Sequence, residues 1–99
     1  MSLERHFQRN LIQELKTIFP GCMIIKGNSA RLQGIPDIII LYNDRWASLE
    51  VKKSANEKTQ PNQPYYVDKM NEMSYSSFIH PENKEAVLVE LQQALSPKR

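Results

Sequence analysis

No stretch constrains this chain more than Gly34 to Lys52. Two runs rich in Ile, Leu, Val, Tyr and Trp flank Asn43-Asp44, residues that tolerate the positive φ of a tight hairpin turn. The pattern predicts a β-hairpin. Its first strand, opened by Asp37, is otherwise Ile-Ile-Ile-Leu, apolar enough for burial on both faces. In the second strand Glu50 and Lys52 lie two residues apart, so both side chains leave one face while Val51 points the other way. Charged groups inside a sheet are costly unless they are paired or bind a metal. Asp37, Glu50 and Lys52 therefore need a reason to be there.

Chemistry supplies one. Two carboxylates brought close in space are hard oxygen ligands for Mg²⁺ or Mn²⁺. A lysine beside them can hold an attacking water or steady charge on a phosphate. The bland alternative is a pair of surface acids balanced by a lysine on an edge hairpin, and the apolar strands speak against it.

Around the hairpin the chain reads as helix, three strands, helix, strand, helix. Leu3 to Phe19 predicts an amphipathic helix with Leu3, Phe7, Leu11, Leu15, Ile18 and Ile12 on its apolar side, Ser2 as cap and Pro20-Gly21 as stop. Glu4 beside that stripe either points toward the sheet or serves as a first-turn acid favoured by the helix dipole. Arg5 and Arg9 share the solvent side. Cys22 to Lys26 fits a first strand. The loop from Gly27 to Pro36 is polar, and with Lys26, Asn28, Ser29, Arg31 and Gln33 it suits contact with a sugar-phosphate backbone or serves as a simple connector. After Lys52 a polar loop carries Lys53 and Lys58. Thr59 is placed to cap a helix starting near Pro61. On that helix Gln63, Tyr66, Val67 and Met70 share one face, which turns Gln63 inward, either to orient water or phosphate or to act as a cap. Ser76 to His80 is a last strand. Pro81 opens a final helix with Val87, Leu88, Leu91, Ala94 and Leu95 on its inner face.

Ninety-nine residues make one domain, residues 1–99, without room for a separate DNA-binding module. Apolar residues at 40% and charged residues at 24% are those of an ordinary globular protein. A net charge of only +2 means that any basic footprint is local. One cysteine and two scattered histidines exclude a disulfide framework and a Cys/His zinc site. The N-terminal residues carry no apolar signal region, and no apolar run approaches the ~20 residues that span a bilayer. A cytoplasmic location and no membrane partner are expected.

Pro36-Asp37 followed by Glu50-Val51-Lys52 resembles the signature of the PD-(D/E)XK nuclease superfamily, and the element order resembles its αβββαβ core with one extra C-terminal helix. The resemblance covers nearly the whole chain. It is nearest to minimal phage and virus nucleases of the VRR-Nuc type, and extends to archaeal-type Holliday junction resolvases. It implies an α/β fold, a small mixed four-stranded sheet flanked by helices as in restriction endonucleases. It also implies metal-dependent hydrolysis of DNA phosphodiester bonds. Asp37, Glu50 and the Val51 carbonyl would bind Mg²⁺ or Mn²⁺, with Glu4 on the first helix completing a second site if two ions bind. Lys52 would position or help deprotonate water, and Gln63 matches a glutamine these families often carry. Lys26, Ser29, Arg31, Lys53 and Lys58 are the candidate DNA contacts. Without a sequence-reading element the expected substrate is branched or junction DNA, cut by a homodimer. A phage origin, with action in the host cytoplasm, belongs to the same expectation. Two other readings stay open: a nucleic-acid-binding protein with this fold that does not cut, and a partner-binding domain whose acids and lysine form a salt-linked hairpin.

Overall fold

Three- and four-residue apolar spacing folds Leu3–Ile18 into helix α1, and Gly21, with φ of 85°, turns the chain out of it. In the computed structural model, which describes residues 3–28 and 30–96, six further elements follow. They are β1 (Met23–Lys26), β2 (Ile38–Tyr42), β3 (Arg45–Val51), α2 (Gln63–Met73), β4 (Tyr75–Ile79) and α3 (Lys84–Leu95). The sheet order is β1-β2-β3-β4, with the first two pairings antiparallel and the last parallel. This is the expected mixed four-stranded sheet with helices on its faces. Asn43, with φ of 56°, makes the hairpin turn between Tyr42 and Arg45.

Side-chain alternation divides the sheet into two unlike faces. Ile38, Ile40, Ala47, Leu49, Val51 and Ile79 point to one side, where Leu11 and Leu15 of α1, Phe19 just after it, and Val87, Leu88, Leu91 and Leu95 of α3 bury them. On the other side α2 packs chiefly on β3 and β4. The far face of β1 and β2 is thereby left partly open, with Met23 63% and Ile25 46% exposed. That corrects one expectation: β2 is fully buried on one face only, and Ile39 and Leu41 are half-buried. No helix among the described residues is long and apolar enough to cross a membrane.

Helix starts also differ. Leu3 is 79% exposed, and the apolar stripe of α1 becomes fully buried only from Leu11. Helix α2 begins at Gln63 instead of near Pro61, because Asn62 takes a left-handed φ of 74° where the chain passes Gly34. Asn62, and not Thr59, occupies the cap position, without a side-chain cap bond. Helix α3 starts at Lys84 and not Pro81. Asn83 Oδ1 accepts the His80 N–H at 2.8 Å and its Nδ2 donates to the Phe78 carbonyl at 3.1 Å, closing a turn first. The cap assigned to Ser2 lies outside the described residues.

Candidate active site

The hairpin register carries the site. Ile38 pairs with Leu49, so one further step along each strand sets Asp37 opposite Glu50 with both side chains on the α2 side. Asp37 is held in place from two directions. Its carbonyl accepts the Gly27 N–H at 2.8 Å, and its Oδ2 accepts the Val51 N–H at 2.9 Å. Gly27 is required for the first of these, since a Cβ there would stand 2.0 Å from the Pro36 carbonyl oxygen. In an extended strand a residue's N–H and C=O point the same way, so the Val51 carbonyl opens on the Asp37 side.

Glu50 and Lys52 are 3% and 5% exposed, and the Gln63 amide joins them. Gln63 Nε2 donates to Glu50 Oε2 at 2.8 Å, while its Oε1 accepts from Lys52 Nζ at 2.6 Å and from the Gln60 N–H at 2.7 Å. Lys52 Nζ also donates to the Lys58 carbonyl at 3.2 Å and lies 5.7 Å from the centre of the Phe78 ring. A half-buried glutamine thus fixes the rotamers of an acid and an ammonium together.

One atom of this cluster is left over. Glu50 Oε1 is buried without a hydrogen-bond partner. Burial, then the Asp37 carboxylate beside it, push the Glu50 carboxyl up to about 8, with Lys52 pulling the other way. Two carboxylates side by side cannot satisfy each other while both are ionised; they call for a shared proton or a cation. A hard divalent ion, which takes oxygen ligands and keeps several waters, fits the set of Asp37, Glu50 and the Val51 carbonyl. Glu4 stands nearby, half-buried, its carboxyl raised by burial, by Glu57 and by Asp37. Yet among the described residues no group of three or more His, Cys, Asp or Glu side chains is placed to hold a metal ion. The fit rests on two carboxylates and a carbonyl.

Comparison with known proteins bears on the fold. No family model matches the chain, and no curated protein matches it. A solved structure of a VRR_NUC domain protein matches with a TM-score of 0.66 over 96% of this chain and 89% of that one, at 18% identity. The fold is VRR_NUC-like.

Within this VRR_NUC-like fold the candidate DNA contacts divide. Arg31 lines a cleft of about 550 Å³ with Gln33, Gly34, Gln60 and Gln63, directly beside the Glu50–Lys52 cluster. Lys53 and Lys58 are exposed on the loop after β3, where the backbone of Lys58 already serves Lys52. Lys26 lies apart from them, across from α1. Ser29 lies outside the described residues. Two participants went unforeseen. Glu57 accepts the Lys53 N–H at 2.7 Å and shares a hydrogen bond with Glu4. Gln60 orients Gln63 through its backbone. A lone acid and an amide in an irregular loop carry no spacing signal. Gly34 is the exception: its φ of 90° and its approach to Asn62 are the kind of close contact a glycine between polar loop residues announces.

Proposed function

We propose that this chain is a metal-dependent DNA endonuclease of the PD-(D/E)XK kind, related to archaeal-type junction resolvases, that hydrolyses phosphodiester bonds in branched DNA. The observation that carries this reading is Asp37 facing Glu50 across the hairpin with one buried glutamate oxygen unpartnered. The likeness to a protein named for its VRR_NUC domain supports it.

Asp37, Glu50 and the Val51 carbonyl would hold Mg²⁺ or Mn²⁺, and Glu4 is the nearest further acid on α1. Such an ion, when bound, lowers the pKa of water and offsets charge on the phosphate. Lys52 gives two of its three N–H groups to Gln63 and Lys58, which leaves one for a water or a phosphate oxygen. Gln63 holds Glu50 Oε2 and so turns Oε1 toward Asp37. Arg31, Lys53 and Lys58 surround this cluster with positive charge suited to the flanking backbone. A homodimer would set two such sites on opposing strands, and the open apolar face of β1 and β2, with Met23 and Ile25 exposed, suits a second copy.

The test is incubation of the purified protein with four-way junction, flap and linear duplex DNA, with and without Mg²⁺ or Mn²⁺. Metal-dependent cutting of branched substrates is expected, abolished by Asp37→Ala. Binding without cutting of any substrate would favour a non-catalytic DNA-binding protein instead.

A further inference from the structure

A groove of about 580 Å³ runs along α1 on the side away from the Arg31 cleft, and its lining is basic. Arg5, Arg9 and Lys16 recur at four and seven residues, which stacks them on one stripe of the helix. Lys26 reaches the same groove from the sheet, since it shares a strand face with the half-buried Ile24 that packs toward α1. Gln8 and Gln13 add amide donors between the cations. Four of the chain's 13 lysines and arginines gather here, while none of its 11 acids lines the groove. In a chain whose net charge is only +2, that segregation is the local basic footprint the totals leave room for.

We propose that this groove is a second binding track for the sugar-phosphate backbone of DNA, carrying an arm of the substrate away from the scissile bond; the inference rests on the nuclease reading above. Position supports it. The stripe starts at Arg5 in the first turn of α1, the turn that also carries Glu4, whose carboxyl is raised in part by Asp37, so groove and cluster meet at the start of one helix. From Arg5 to Lys16 the helix rises about 16 Å, the axial rise of about five base pairs of B-DNA. Arginine and lysine with interleaved amides read phosphate and sugar without base identity, as a structure-specific substrate requires.

The test compares three exposed positions that each lose one charge: Arg9→Gln and Lys16→Gln in the groove, and Lys69→Gln on α2. Binding of a fluorescent four-way junction is followed by anisotropy over a series of KCl concentrations without divalent ions. For each groove variant the slope of log affinity against log salt is expected to flatten by about one, and Kd to rise severalfold, because each phosphate contact contributes about 0.9 to that slope. Lys69→Gln is expected to match the wild type. Groove variants that bind like Lys69→Gln, or a wild type that does not bind DNA, would overturn the proposal. Because the readout is binding, a chain that binds through the groove yet cuts nothing would refute the nuclease reading and leave only the groove's hold on the DNA backbone standing.

Discussion

Two polar clusters are buried side by side in β3, on the same face and only two residues apart, and they behave differently. Ser48 is fully buried with its Oγ 2.7 Å from Ser76 Oγ and 3.3 Å from Met70 Sδ, and Asn71 accepts the Ser76 N–H. It is neutral and its polar groups are matched within the protein. Glu50, one alternation further along, is nearly as buried but ionisable, faces a second carboxylate, and keeps an oxygen whose neighbour in the chain is that carboxylate, which satisfies it only through a shared proton. Burial of polar atoms alone therefore does not mark a site. What marks it is a pair of facing carboxylates that the fold holds together and that only a shared proton or a cation can balance.

The sharpest way to break that contrast is to remove the imbalance. Glu50→Gln keeps the shape but not the charge, and is expected to lower metal-dependent cleavage by at least about a thousandfold, the equivalent of several kcal/mol of lost stabilisation by the ion. Gln63→Ala, which frees both Glu50 and Lys52, is expected to cost about 10–100-fold in metal affinity or rate, measured by Mn²⁺ titration and single-turnover cutting. Gly27→Ala, with its Cβ driven against the Pro36 carbonyl, is expected to lower stability in urea by about 1–3 kcal/mol or more, because backbone on both sides must shift.

The pH response separates the clusters again. The folded chain holds a proton on Glu50 up to about pH 8, whereas an unfolded glutamate releases it near its ordinary value of 4.5. Without divalent ions, this contribution to stability is full below about pH 4.5 and is lost as pH rises toward 8, at no more than about 1.4 kcal/mol per pH unit. Glu4, also raised, adds with the same sign. Urea unfolding of Glu50→Gln between those limits is expected to show a flatter slope. The smallest effect belongs to the serine pair: Ser48→Ala is expected to cost about 1–2 kcal/mol by leaving Ser76 short of a partner, while cleavage continues.

Much of this is legible in the sequence, for local reasons. The alternation of Glu50, Val51 and Lys52, the turn chemistry of Asn43-Asp44 and the helical spacing of Gln63 with Val67 and Met70 each depend on a few neighbouring residues. The convergence of Asp37 on Glu50 followed from the same hairpin register. What stayed hidden depends on irregular backbone or on distant packing. Nothing periodic in residues 53–62 shows that the loop folds Glu57 onto Glu4 or presents the Gln60 N–H to Gln63. A run of three isoleucines reads the same whether one face of β2 is covered or both. The coverage was decided by α2, which sits over β3 and β4. Asn62 and Asn83 delayed two helix starts through a left-handed backbone and a side-chain-closed turn, where the prolines had marked the chain as ready to coil.

Calorimetric titration of Mn²⁺ into the wild type, Glu50→Gln and Ser48→Ala at pH 8 addresses the divalent site without any assumption about the DNA. Saturable binding in the wild type, kept in Ser48→Ala and lost in Glu50→Gln, is expected. Identical curves for the wild type and Glu50→Gln would contradict it.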